Sequence, residues 1–188
     1  EPMEDDELSN MKGSPTTNSP KTKEKSKTPI LDNFGKAYTL PIHQLPSARG
    51  QGDPVSGKIN AQSGATFPGV ISGSEETLAV LASNLGYGFV VKLGDLQTKN
   101  KSGKAALNGK NAKPITPKIL SAVEDNYIAS ITKEGKMLII EACELPILGK
   151  GKGNKIISID KKKFEAKEDQ LMYLVTFKKV VIVNLLMF

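Results

Sequence analysis

The stretch that decides the fold is "SNLGYGFVVKLGDLQ", residues 83–97, in which a glycine-containing turn leads into an apolar run. The same order of residues occurs in "DNFGKAYTLPIHQLP", residues 32–46, and in "TKEGKMLIIEACELP", residues 132–146. The three copies lie 51 and 49 residues apart when they are aligned on their turn glycines, Gly35, Gly86 and Gly135. A period near 50 residues with several strands per unit is typical of propeller blades rather than of a helical solenoid.

Each copy predicts a β-hairpin, because its glycine supplies the positive φ that a tight turn needs. Between the copies, β-branched and aromatic runs alternate with clusters of Gly, Asn, Pro and Lys, which is typical of an all-β domain. Residues 160–170 are the best candidate for a helix or loop, and 171–177 resemble the entering strand of a fourth repeat. We therefore expect an all-β, propeller-like repeat of about three four-stranded blades, incomplete at both ends.

The composition divides the chain at about residue 27. Residues 1–27 are rich in Ser, Thr, Pro and Lys and carry a net charge of −1, and such a segment cannot bury enough apolar surface to order itself. We expect a disordered tail or linker there and the folded domain over 28–188. That second part holds 21 basic and 14 acidic residues, a net charge of +7, which favours a polyanionic partner.

The one cysteine, Cys143, excludes an internal disulfide and favours a reducing cytoplasm. The apolar runs are shorter than the roughly 20 residues that a membrane helix needs, so we expect no membrane association. The first ten residues are acidic, unlike a signal peptide. Position 1 is not methionine, so we expect a fragment of a longer chain.

A basic, glycine-containing loop follows each hairpin: "SARGQGDPV", "KNKSGKAAL" and "GKGKGNKII". A loop that recurs at one place in a repeat is presented on one rim, where its cations could contact phosphates in register. A solvated turn surface is the alternative for any single lysine. The recurrence favours DNA, and the absence of a set of base-reading side chains predicts sequence-tolerant, salt-dependent binding. The candidate DNA-binding residues are Arg49, Lys99, Lys101, Lys104, Lys150, Lys152 and Lys155.

Other chemistry has little support in the sequence. "GDPVSGKI", residues 52–59, has Ile59 where a phosphate-binding loop needs Ser or Thr, and Pro54 argues against the helix that must follow. The single histidine, His43, aligns with Gly94 and Cys143 in the other repeats, which indicates a structural or surface position. We interpret Cys143 as a small strand residue. We expect the carboxylates before the entering strands to be solubilising turn residues. These are Glu75, Glu76, Glu124, Asp125, Glu168 and Asp169. The chain should therefore need no cofactor, metal or small-molecule substrate.

Three segments together resemble the C-terminal DNA-binding domain that ends the A subunit of bacterial DNA topoisomerase IV, a family related to the gyrase A C-terminal domain. They are "LPIHQLPSARGQGDPVSGKIN", "SNLGYGFVVKLGDLQTKNKSGKAAL" and "LPILGKGKGNKIISI", and the resemblance covers about residues 30–160. It implies a β-pinwheel whose basic rim binds and bends duplex DNA. The gyrase-type Gln-Arg-Arg-Gly-Gly-Lys-Gly box survives only in degenerate forms at 49–52 and 150–153, which argues for bending rather than wrapping.

The resemblance also implies a role for the chain as an accessory part of an ATP-dependent type II topoisomerase that decatenates and relaxes DNA. Its partners would be duplex DNA, the N-terminal region of the same topoisomerase polypeptide and the separate ATPase polypeptide, in the cytoplasm at the bacterial nucleoid. The catalytic tyrosine would lie outside this chain. The alternatives are a β-repeat scaffold that binds an acidic protein partner, or an eroded remnant without activity.

Overall fold

The computed structural model describes residues 27–42, 50–109 and 111–179. Outside these ranges lie the predicted tail up to residue 26, His43, Arg49 and the apolar run from residue 180. The strands are β1 (Lys27–Leu31), β2 (Lys36–Pro41), β3 (Gly69–Val70), β4 (Leu78–Ala82), β5 (Tyr87–Lys92), β6 (Lys104–Ala105), β7 (Lys118–Leu120), β8 (Asn126–Thr132), β9 (Met137–Glu141), β10 (Asn154–Lys155) and β11 (Leu171–Lys178). The helices are α1 (Leu93–Leu96) and α2 (Lys161–Glu165).

The predicted hairpins are confirmed as β1–β2, β4–β5 and β8–β9. Their turn glycines, Gly35, Gly86 and Gly135, have φ angles of 83°, 84° and 83°. Each turn is closed by the same pair of backbone hydrogen bonds, as when the Ser83 N–H donates to the Tyr87 carbonyl at 2.8 Å. This is the geometry in which a left-handed glycine completes a tight hairpin, so the spacing of the sequence repeat follows from the turn.

The strands form three sheets, which we call blades. Blade 1 has the order β3-β1-β2-β6, blade 2 has β10-β5-β4-β7, and blade 3 has β11-β8-β9. Blades 1 and 2 are four-stranded as predicted, whereas blade 3 has three strands among the described residues.

Neighbouring repeats exchange short strands. The two-residue strand β6 follows the second hairpin in the chain but pairs with β2 of blade 1, and β10 follows the third hairpin but pairs with β5 of blade 2. In each repeat the chain then returns to the blade of its own hairpin. There β3 pairs with β1, β7 pairs with β4, and β11 pairs with β8. Each repeat is thereby tied to the blade before it.

Two expectations need correction. Residues 171–177 do not enter a fourth repeat, because β11 pairs with β8 as the returning strand of blade 3. The run "NKIISI", residues 154–159, forms a strand over only two residues, since Ile156 and Ile157 turn inward and are buried. The expected helix is confirmed within 160–170 as α2, whose first turn is capped by the Asp160 carboxylate.

Blade 2 lies between the other two blades and buries both of its faces. Leu81 and Phe89 on one face join a cluster with Leu31 and Leu107 at blade 1. Val80 and Val90 on the other face join a cluster that includes Ile128, Leu171 and Leu174 of blade 3. These blade-to-blade contacts form the core and fix the positions of the loops at the blade edges.

Candidate nucleic-acid interface

The glycine of each exchange strand is an architectural residue. Gly103 and Gly153 have φ angles of 70° and 76°, and each precedes a two-residue strand. A Cβ on Gly103 would lie 2.9 Å from the Ala37 carbonyl oxygen, and a Cβ on Gly153 would overlap the Gly88 carbonyl. These two glycines therefore allow the backbone to approach the neighbouring hairpin.

The same hydrogen bonds hold each exchange strand. The N–H groups of Ala106 and Leu107 both donate to the Gly35 carbonyl at 2.9 Å, and those of Ile156 and Ile157 donate to the Gly86 carbonyl at 2.7 and 3.3 Å. Lys104 and Lys155, close to these anchors in the chain, are thus placed on the edges of blades 1 and 2.

Backbone hydrogen bonds connect the second basic loop to its neighbours in space. The Asn60 N–H, five residues after the first loop, donates to the Lys101 carbonyl at 2.8 Å. The end of the second loop runs parallel to the third loop, where the Gly151 N–H donates to the Ala106 carbonyl at 2.9 Å. The second loop therefore lies between the third loop and the segment that follows the first.

The second loop is held by a side chain of β2 and by its own polar groups. The Thr98 N–H donates to the Thr39 hydroxyl at 2.8 Å, and the Ser102 N–H donates to the Asn100 side-chain oxygen at 2.9 Å. This Asx-type turn leaves Lys99 and Lys101 exposed at the tip of the loop.

In the third loop, Lys150 and Lys152 are exposed. The Lys152 ammonium lies 3.8 Å from the centre of the Tyr87 ring, a cation–π contact that fixes its position while leaving it accessible.

The cations do not recur in strict register, contrary to expectation. When Gly103 is matched with Gly153 by their shared hydrogen bonds, Lys104 corresponds to Asn154, and Lys155 corresponds to Ala105. Successive residues of a strand point to opposite faces, so equivalent loops carry their charges on alternating sides. Lys104 and Lys155 therefore occupy non-equivalent positions on the two exchange strands.

None of the six described candidates pairs with a carboxylate of the described residues. Within residues 27–42, 50–109 and 111–179, no carboxylate lies within ion-pair distance of Lys99, Lys101, Lys104, Lys150, Lys152 or Lys155. Lys58, three residues beyond the first loop, pairs with Asp53 at 3.1 Å.

Lysines on blade 3 differ in this respect. Lys136 and Lys163 both donate hydrogen bonds to the Glu134 carboxylate. These bonds lower the pKa of Glu134, and the bond from Lys136 has the larger effect.

The sequence did not identify Lys161 as a member of this surface. Lys161 lines a shallow groove together with Tyr87, Lys152 and Lys155. It begins α2, outside the glycine loops, so the repeat pattern contained no signal for it.

The remaining residues considered in the sequence have structural roles. Val55–Gly57 form a single 3-10 turn, and residues 58–68 contain no helix of the kind that a phosphate-binding loop requires. Cys143 lies in a 3-10 turn and not in a strand, and its contact with Glu141 raises the pKa of the thiol, so it stays protonated. Neither helix in the described ranges has the length or apolar character of a membrane span.

The carboxylates before the entering strands are exposed as expected, except for one. Asp169 is fully buried, which corrects its interpretation as a solubilising residue. Its Oδ1 atom accepts the Glu134 N–H at 3.1 Å and the Gln170 N–H at 3.0 Å, so it holds the turn of the third hairpin.

Comparison with known proteins agrees with this architecture. The family model described as "DNA gyrase C-terminal domain, beta-propeller" matches residues 78–112 and 126–175, which contain the hairpins of blades 2 and 3. The A subunit of DNA topoisomerase 4 from Pseudomonas aeruginosa is 46% identical over 143 residues, which are 76% of this chain and 19% of that protein. The chain belongs to the family of C-terminal domains found in the A subunits of topoisomerase IV and gyrase.

Solved structures of this family have the same fold. The C-terminal domain of Escherichia coli ParC superposes with a TM-score of 0.74 at 36% identity, over 81% of this chain and 62% of that one. The DNA gyrase A C-terminal domain superposes with a TM-score of 0.62 at 12% identity, over 81% of this chain and 48% of that one, and shows the shared fold alone. The chain spans about a fifth of the length of the topoisomerase 4 relatives that it matches.

Proposed function

We propose that the domain binds duplex DNA along the edge formed by the basic loops, with little dependence on base sequence. The observation that carries the proposal is that six lysines lie on two hydrogen-bonded neighbouring loops and that no described carboxylate pairs with them. Arg49, outside the described residues, remains a predicted phosphate contact. Lysine is a flexible point charge that binds phosphate without fixed geometry, which suits contact with the DNA backbone.

We infer that the DNA bends as it follows this edge. The three loops follow the hairpins of successive blades, so a duplex that contacts all of them must follow the arrangement of the blades. Bending a duplex by tens of degrees costs on the order of a few kcal/mol, which several phosphate contacts can offset.

We also propose that the domain serves a type IIA topoisomerase as an accessory module that presents DNA to a cleavage centre elsewhere. Its family membership supports this role. The partners would then be the N-terminal region of the same topoisomerase polypeptide and the separate ATPase polypeptide, at the nucleoid.

The proposal makes a quantitative prediction for salt dependence. Each neutralised phosphate contributes roughly −0.9 to the slope of log K against log salt, so six contacts give a slope of about −5. Between about 50 and 200 mM salt, the affinity should fall by roughly 10³-fold.

The test is fluorescence anisotropy with a labelled duplex of about 30 base pairs, across a salt series. Lys99, Lys101 and Lys150 are replaced together by Gln, and the slope should become shallower by about 3. The matched control replaces Lys133, Lys167 and Lys178 by Gln, which removes the same net charge from exposed positions elsewhere. If both triple variants lose affinity for the duplex equally, only net charge matters. If the salt slope of the Lys99, Lys101 and Lys150 variant is unchanged, the proposed DNA-binding surface is wrong.

A further inference from the structure

A shallow groove beside the turn of the second hairpin collects three lysines from three different elements. Lys152 belongs to the third basic loop, Lys155 to β10 and Lys161 to the first turn of α2, and all three are exposed. Tyr87 of β5 lines the same groove. Positive charges that converge on one groove raise the local potential and attract anions.

The backbone determines where two of these lysines emerge. Lys155 is the partner of Tyr87 in the antiparallel ladder of β10 and β5, so the two side chains point to the same face of blade 2. Lys161 begins α2 directly after Asp160, whose carboxylate caps the helix. The intervening Ile156 is buried and anchors this segment to the core. Both cations are therefore held at the groove by ordered backbone.

The aromatic ring of Tyr87 holds the third cation. The Lys152 ammonium lies 3.8 Å from the centre of this ring. A cation–π contact stabilises one position of an otherwise flexible side chain. A lysine that is already placed loses less conformational freedom when it binds a phosphate, so the ring should strengthen binding without adding charge.

The floor of the groove is apolar, and its rim is weakly neutralised. Leu85, Ile157 and Ile159 line it, so the aliphatic parts of the lysines can pack there while their ammonium groups stay in water. Among the described residues, the carboxylate within ion-pair distance of these lysines is that of Glu165, 3.9 Å from the Lys161 ammonium. An exposed pair of this kind contributes little to stability, so a phosphate can replace it.

We propose that this groove binds backbone phosphates of the duplex, with Lys161 as a further phosphate contact and Tyr87 as the residue that positions Lys152. The inference rests on the proposed function. It extends the DNA-binding surface from the third loop onto α2, the helix that precedes β11 of blade 3. This part of the surface lies outside the pattern of glycine-containing loops, because α2 has no counterpart in blades 1 and 2 among the described residues.

The first test compares two neighbouring lysines of α2 in the full 188-residue chain, by anisotropy with the same labelled duplex across a salt series. Lys161→Gln removes one phosphate contact, so the slope of log K against log salt should become shallower by about 0.9. Lys162→Gln is the matched control, since it removes the same charge from an exposed position of the same helix, outside the groove. Its slope should equal that of the parent.

The second test is a double-mutant cycle between Tyr87 and Lys152. Tyr87→Phe keeps the aromatic face and should bind the duplex like the parent. Tyr87→Leu should weaken binding about two- to fivefold with an unchanged salt slope, because the contact with the ring is lost and no charge is removed. In the Lys152→Gln background, Tyr87→Leu should have no further effect, because there is no ammonium group left to position. Circular dichroism confirms that each variant is folded.

The outcomes distinguish this inference from the proposed function. If the parent does not bind the duplex, or binds it without salt dependence, both are wrong. If the parent binds as expected but Lys161→Gln and Lys162→Gln have equal slopes, the groove is not a phosphate site, while the basic loops remain the DNA-binding surface. If Tyr87→Leu weakens binding equally with and without Lys152, the ring has a structural role and does not position the cation.

Discussion

A single methyl group at Gly153 should break the exchange of β10 into blade 2. Gly153 has a φ of 76°, and a Cβ built on it would overlap the carbonyl oxygen and carbon of Gly88 in β5. The backbone of a strand cannot yield as a flexible side chain can. The Gly153→Ala protein must therefore move β10 away from β5, and the buried Ile156 and Ile157 move with it.

Gly135→Ala is the matched control. Gly135 has nearly the same φ, 83°, but a Cβ there meets nothing within 4 Å. Alanine at a left-handed position costs about 1–2 kcal/mol, of which the stiffer unfolded chain returns roughly 0.4–1 kcal/mol. The control should therefore lose about 0–1.6 kcal/mol of unfolding free energy. Gly153→Ala carries the same strain and also exposes two isoleucines, each worth about 1.5–3 kcal/mol when buried.

Urea unfolding followed by circular dichroism measures both losses. We expect Gly153→Ala to be less stable than Gly135→Ala by about 3 kcal/mol or more. Hydrogen exchange should locate the effect at the Ile156 and Ile157 amides, which lose their bonds to the Gly86 carbonyl. If the two variants lie within about 1 kcal/mol of each other and those amides stay protected, the exchanged strand does not depend on glycine, and the reasoning is wrong.

Two further predictions concern buried polar groups. Burial, and then the 2.8 Å hydrogen bond to Asp32, raise the pKa of Tyr38 to about 12. The pKa of an unfolded tyrosine is about 10, so the stabilisation linked to Tyr38 is fully present below that pH. The free energy of unfolding then falls by up to about 3 kcal/mol as the pH rises to about 12. In the parent, the urea midpoint should be lower at about pH 11.5 than at about pH 9, whereas in Tyr38→Phe the two midpoints should agree. If the midpoint falls equally in both proteins, the assignment to Tyr38 is wrong. Asp169→Ala should lower the unfolding free energy by about 1–3 kcal/mol, because the amides of Glu134 and Gln170 lose their buried acceptor. Asp169→Asn keeps an acceptor oxygen and should lose less, and equal losses would show that the carboxylate itself matters.

The hairpins could be predicted from sequence because their determinants are local. The turn at Gly86 specifies its own conformation, and the run from Tyr87 to Lys92 pairs with residues only a few positions away. The same three-fold pattern of turn and apolar run indicated the fold class. These features depend on spacing within a single hairpin, which a sequence displays directly.

The exchange of strands could not be predicted in the same way. A two-residue strand such as β6 has no periodicity to recognise, and its partner β2 belongs to the previous repeat. The eight-residue β11 was recognised as a strand, but its position in blade 3 depends on tertiary pairing with β8. Asp169 was misread for a related reason, since nothing nearby in the sequence shows that Glu134 needs its carboxylate.

The candidate interface shows both limits together. The sequence located the basic loops correctly, because loops recur wherever hairpins recur. It could not show that Lys104 and Lys155 occupy non-equivalent positions, since that register is set by which amides bond to Gly35 and Gly86. The same glycine-dependent exchange that ties the blades together also decides on which side each charge emerges. For the DNA binding that we propose, charges on alternating sides have no fixed spacing to match, so we expect tolerance of DNA sequence and of phosphate position.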